Sequence, residues 1–138
     1  MKRYILDASL LIEAISVARS PASKRMAQLL SEIERCEVEA WAPDFLIQEL
    51  ANFCLQKNYG KDEAIAFLEG VEGLPLNWVH FRLQDVLRTY LLAQEMQVAA
   101  YDAAYHLLAL ENEAALLTCD RRYFTKAEKK GSIELVPV

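Results

Sequence analysis

Tyr4-Ile5-Leu6-Asp7-Ala8-Ser9-Leu10-Leu11-Ile12 decides how the rest of the chain is read. Tyr4, Ile5 and Leu6 are apolar without alternation, the pattern of a short strand covered on both faces in a parallel sheet. From Ala8 the period becomes helical, with Leu11, Ile12 and Ile15 on one side. Asp7 stands at the change. It therefore closes a central strand just where a helix begins, and in open α/β sheets ligands bind at that edge. Asp is also a good helix cap. Its meaning depends on whether other acids reach the same edge.

Downstream, strand patterns alternate with pairs of helix patterns. Ser20-Pro21 starts a helix, with Ser as cap and Pro at the first position, running to about Arg35. Val38 to Ala42 reads as a second strand. Pro43-Asp44 opens a helix carrying Phe45, Leu46, Leu50, Phe53 and Cys54, which Asn58-Tyr59-Gly60 ends in the usual glycine manner. Lys61 to Val71 is helical with Ile65 and Leu68 inward, and Leu76 to Phe81 suits a third strand. Leu83 to Gln97 is amphipathic through Val86, Leu87, Leu91 and Leu92; Ala99 to Leu110 is apolar enough for a buried helix. Ala114 to Thr118 is a fourth strand, followed by Cys119-Asp120, a basic segment Arg121 to Lys130, and an edge strand Ile133 to Val136. This order predicts an α/β fold: a single α/β/α sandwich with a parallel sheet of about five strands.

Bulk properties narrow the class. A chain of 138 residues is expected to form one domain, 1–138, with a core large enough to need no staples. A hydrophobic share of 54% excludes a disordered chain. The net charge of −5 argues against a generally basic nucleic-acid binder, though not against a local basic patch or a metal-bridged polyanion. Cys36, Cys54 and Cys119 are odd in number and lack metal-ligand spacing, which predicts reduced thiols in a cytoplasmic protein. Asp7 and Glu13 interrupt the first apolar stretch, so it is no signal peptide, and no run is long enough to span a membrane.

Four acids sit where apolar or capping residues would serve. Asp7 and Asp120 end two strands, and parallel strands place those ends on one edge. Glu49 shares a helix face with Phe45 and Phe53, one turn to either side, where an acid is costly unless paired or metal-bound. Asp102 is the one acid in Ala99-Ala100-Tyr101-Asp102-Ala103-Ala104-Tyr105. Singly, Asp7, Asp102 and Asp120 can be caps or turn residues and Glu49 can reach water. Jointly they gather like charge in one crevice, a conflict that a hard divalent cation removes. Oxygen ligands without His or Cys select Mg²⁺ or Mn²⁺, and phosphodiester hydrolysis is the natural chemistry of such a site. Ser9 and Thr118, each two residues from one of the strand-end acids, can hold a carboxylate, a water or a phosphate, or serve as local caps. Arg121, Arg122 and Lys126, with Lys129 and Lys130 beyond, form the one basic cluster, a candidate for backbone phosphate contacts as well as a solvated face. His80 and His106 have no nucleophile at elbow spacing, and there is no glycine-rich phosphate loop.

On Ile5-Leu6-Asp7-Ala8-Ser9, Ala42-Pro43-Asp44 through Glu49 to Asn52, Ala100-Tyr101-Asp102 to Tyr105, and Leu117-Thr118-Cys119-Asp120-Arg121-Arg122, the chain resembles the PIN-domain ribonucleases, specifically the VapC-type toxins of toxin–antitoxin pairs. The resemblance implies a five-stranded parallel sheet between helices and an acidic site for Mg²⁺ or Mn²⁺. Asp7, Glu49, Asp102 and Asp120 match its four acidic positions; Ser9 and Thr118 match its hydroxyl positions. It also implies an RNA substrate, a homodimer, and inhibition by a small antitoxin whose tail, often through an Arg, enters the site. Other readings stay open: a haloacid-dehalogenase-like phosphatase, for which Ser9 stands where a second acid or Thr is wanted; a phospho-receiver, which lacks its acidic pair; and a non-catalytic PIN scaffold.

Overall fold

Five parallel strands lie in the order β3-β2-β1-β4-β5. The computed structural model describes residues 1–138. In chain order the elements are β1 (Lys2–Leu6), α1 (Ala8–Ser16), α2 (Pro21–Glu34), β2 (Val38–Pro43), α3 (Leu46–Gln56), α4 (Lys61–Glu72), β3 (Asn77–Val79), α5 (Leu83–Met96), α6 (Ala100–Glu111), β4 (Ala115–Thr118), α7 (Arg121–Ala127), a 3-10 turn (Glu128–Lys130) and β5 (Ile133–Leu135). The chain moves outward from β1 through β2 to β3, then returns to lay β4 on the other side of β1. Right-handed crossovers in opposite directions put their helices on opposite faces, and the result is an α/β/α sandwich. Ile5, Leu6, Leu116 and Leu117 of the two central strands are wholly buried, each such side chain contributing about 2 kcal/mol.

Local signals account for most boundaries. Ser20 accepts from the Ser23 N–H at 3.0 Å and Pro21 follows it, so α2 starts where the dipeptide indicated. Pro43 and Asp44 do not open α3. The helix begins at Leu46, and Asp44 instead accepts from the Phe81 N–H and pairs with His80, tying down the chain after β3. Nor does Gly60 end α3. Asn58 takes the left-handed conformation there, which Asn tolerates, and Gly60 is the N-cap of α4.

Two helix faces differ from the sequence expectation. α4 buries Phe67 and Val71, leaving Ile65 43% exposed. α5 buries Asp85, Thr89, Ala93 and Met96, while Leu83, Val86, Leu87, Tyr90 and Leu91 face outward. The reason is packing against α6: small residues allow close approach, and Asp85 is satisfied by the Arg82 N–H and the Arg88 guanidinium, which also grips Glu111 of α6. α5 thus carries two stripes, and the more apolar one is not the buried one.

Candidate active site

β1 and β4 are neighbours with Leu6 opposite Leu117, so Asp7 emerges beside Thr118 and Asp120 lies just beyond. The strand order reverses at this parallel pair, which makes their carboxyl ends the switch point where α/β crevices form. Hydroxyls knit the two ends together. Ser9 Oγ donates to Asp7 Oδ1 at 2.7 Å, accepts from the Cys119 N–H at 2.9 Å and lies 3.2 Å from Thr118 Oγ1, which accepts from the Asp120 N–H at 3.0 Å. Asp7 also caps α1 through the Leu10 N–H, and Asp120 caps α7 through the Tyr123 N–H, both at 3.0 Å. The capping readings of these two acids are therefore true, and both acids still stand at the crevice. Asp7 is 8% exposed. Burial pushes its carboxyl up to about 6, against the hydroxyl of Thr118, the Leu10 N–H and the hydroxyl of Ser9, with the Asp102 charge adding to the rise.

Asp102 is not a cap. Ala99 holds that position, without a side-chain bond, and Asp102 lies in the first turn of α6. Burial and then the Asp120 charge raise its proton affinity. Glu49 projects from the first turn of α3, half-buried, and is raised by burial and by Asp102 while a hydrogen bond from Tyr105 opposes the rise. Tyr105 Oη donates to Glu49 Oε1 at 2.5 Å. Asp102 is thus the acid through which the charges of Asp7, Glu49 and Asp120 meet. None of the four acids pairs with a Lys, Arg or His.

A family model described as the PIN domain matches residues 4–130. The chain belongs to the PIN-domain family. No curated protein matches it. Among solved structures, that of PAE2754 from Pyrobaculum aerophilum is 25% identical, with a TM-score of 0.64 over 96% of this chain and 83% of the other. VapBC2 from Rickettsia felis, bound to a fragment of promoter DNA, is 15% identical, with a TM-score of 0.72 over 96% and 98%. A toxin–antitoxin complex from Klebsiella pneumoniae is 15% identical, with a TM-score of 0.66 over 98% and 99%.

In this PIN domain no three His, Cys, Asp or Glu side chains converge into a ready-made metal cage. Mg²⁺ does not require one: it keeps several waters and takes one or two carboxylates plus substrate phosphates. Unpaired carboxylate oxygens, strained by burial and by one another, suit a hard cation held in that way.

Around the acids the surface divides. A groove of about 300 Å³ has Asp102, Asp120, Arg122 and Lys126 on its walls. Arg121 is exposed but lies off the groove. Lys126 Nζ donates to the carbonyl of Gln97, the left-handed residue that ends α5, and Lys130 is held by Glu95 at 2.5 Å.

Sequence reasoning passed over two residues. Tyr105 was only part of a motif, although it stands one turn from Asp102 in a helix otherwise rich in Ala and Leu. His106, which has no nucleophile at elbow spacing, is wholly buried and bonded at both nitrogens, to Tyr123 Oη at 2.7 Å and to the Gly131 carbonyl at 2.8 Å. Nε2–H donates to that carbonyl, so Nδ1 accepts from the tyrosine. Burial lowers its proton affinity, as a neutral structural imidazole requires.

Proposed function

We propose that this PIN domain is a metal-dependent endoribonuclease, the toxin of a type II toxin–antitoxin pair. One observation carries the reading: Asp7, Glu49, Asp102 and Asp120 share one sheet edge, and none of them pairs with a cationic side chain. Like charge at a half-buried site is costly, and Mg²⁺ or Mn²⁺ relieves it. One or two of the four acids would hold the ion directly, and the others would reach it through the waters that complete its shell. When bound, such a cation offsets phosphate charge and makes water acidic enough to attack phosphorus. Ser9 and Thr118 hold Asp7 in place, Tyr105 aims Glu49, and Arg122 and Lys126, with Arg121 behind them, take the RNA backbone.

One continuous core of 30 buried residues supports residues 1–138 working as a single domain. Three free thiols support a reducing, cytoplasmic setting. The structural likeness to VapBC2 and to a toxin–antitoxin complex supports an antitoxin partner. The outward stripe of α5 supports a homodimer.

Cleavage products test the chemistry. With Mn²⁺, RNA fragments should carry 5′-phosphate and 3′-hydroxyl ends, because the attack does not use the 2′-hydroxyl; with EDTA there should be none. A 2′,3′-cyclic phosphate, or cutting in EDTA, would overturn the reading.

A further inference from the structure

On the side of the acids away from Arg122 and Lys126 lies a second depression, of about 480 Å³. α3 supplies its wall. Gln48, Asn52 and Gln56 stand one turn apart on that helix, all exposed, and line the depression together. Phe45 closes one end. Tyr101, 62% exposed, stands at the rim with its ring 5.5 Å from that of Phe45. Glu49 is common to the depression and to the acid crevice, so whatever fills one abuts the other. No Lys or Arg lines the depression.

The surface around the acids is therefore cationic on one side, while on the other, apart from Glu49, it is uncharged, with a row of amides facing apolar and aromatic side chains. A single polynucleotide strand is divided in the same way. Its backbone is anionic, while its unpaired bases are uncharged, with flat faces that stack on aromatic rings and edges that carry donors and acceptors. A carboxamide offers two donors and an acceptor in one plane, the match for a base edge. A protein segment with an apolar face would find a better seat in the neighbouring depression lined by Phe81, Val86 and Tyr90.

Resting on the nuclease reading, we infer that the amide-lined depression is the pocket for an unpaired RNA base beside the scissile phosphate. Gln48 and Asn52 read the edge of that base and Tyr101 stacks on its face. The pocket sets which nucleotide stands next to the cut; the basic groove does not.

Two measurements test this. First, side-chain amide resonances of Gln48 and Asn52 are followed while single-base RNA tetramers are added in Ca²⁺. They should shift, the tetramers should differ in affinity by about tenfold or more, and Gln48→Ala with Asn52→Ala should level them. Tyr101→Ala should weaken all four, and Tyr101→Phe should restore binding. Second, cut sites are sequenced from a randomised RNA. The double variant should lose the base preference at one position while total turnover falls less than about tenfold. Four tetramers bound alike, or shifts confined to the Arg122 flank, would overturn the pocket. So would a uniform loss of cutting with an unchanged base profile, which assigns the amides to the backbone. An unchanged rate and profile would overturn it too, leaving the depression to a protein partner. A chain that binds tetramers through these amides but cuts no RNA would sink the nuclease reading and leave the base pocket standing.

Discussion

A single hydroxyl decides where Glu49 points. Tyr105→Phe keeps the ring that packs 5.1 Å from Phe45 and removes only the donor to the carboxylate. A hydrogen bond to a charged group is worth about 1.5–3 kcal/mol, so activity should fall about tenfold or more and the melting temperature should drop by a few degrees. Rate against Mn²⁺ concentration checks this; an unchanged rate would make Tyr105 a packing residue. Asp102 is the complementary case, an acid raised by burial and by Asp120. Asp102→Asn removes that charge at nearly constant shape. It should abolish cutting yet melt at or above the wild-type temperature in EDTA, since sites of this kind carry instability. Metal at about 100 times Kd should then add roughly 2.7 kcal/mol to wild type and much less to the variant. Equal metal shifts in the two proteins would remove Asp102 from the site.

At the scale of elements, α7 supplies one side of the candidate site. Asp120 caps it, Tyr123 sits in its first turn, and His106 of α6 takes the tyrosine hydroxyl. The same helix carries Arg122 and Lys126 to the groove and turns Arg121 away from it. Alanine at Arg121, Arg122 and Lys126 together should weaken RNA binding and flatten its salt dependence without removing the metal-induced rise in melting temperature. Each phosphate contact to a single strand adds about 0.7 to the magnitude of the slope of log K against log salt. Arg122→Ala alone should flatten the slope more than Arg121→Ala. An unchanged slope in the triple variant would assign these residues to a plain solvated face.

For the whole molecule, stability and pH are linked through the acids. The ordinary value for Asp7 is 3.8 and its folded value is about 6, so the folded state holds the proton more tightly. The stability this contributes is fully present below about 3.8 and is lost as pH rises through about 6. The span corresponds to roughly 3 kcal/mol. Glu49 and Asp102 shift in the same direction. His106 runs the opposite way, since its lowered proton affinity costs stability as pH falls. The difference between melting curves with Mn²⁺ and with EDTA cancels the histidine. That difference should be near zero at about pH 5 and full by about pH 7.5, because protonated carboxylates release metal. A metal shift independent of pH would mean that the ion is held elsewhere. The outward stripe of α5 acts at this scale as well. Leu87→Glu with Leu91→Lys should convert a dimer to a monomer in sedimentation, and a species unchanged in mass would place any dimer contact elsewhere.

Tyr4-Ile5-Leu6-Asp7 and Leu116-Leu117-Thr118-Cys119-Asp120 were readable before any fold was known, because strand burial and helix capping are written in neighbouring residues. The alternation of strands with helix pairs follows from the same local rules, and right-handed crossovers leave few topologies for it. Which strands adjoin is a different matter. That β4 lies beside β1, with Leu117 opposite Leu6, depends on residues more than a hundred positions apart, and only this pairing puts Asp120 next to Asp7. The buried face of α5 was hidden for a like reason. Periodicity reports where apolar residues lie on a helix, and Leu87 and Leu91 are apolar, but contact with α6 selected Thr89 and Ala93 instead. The bonds from Tyr105 to Glu49 and from Tyr123 to His106 join different elements. Composition and spacing carry no trace of such pairs, because the partner exists only once the helices have packed.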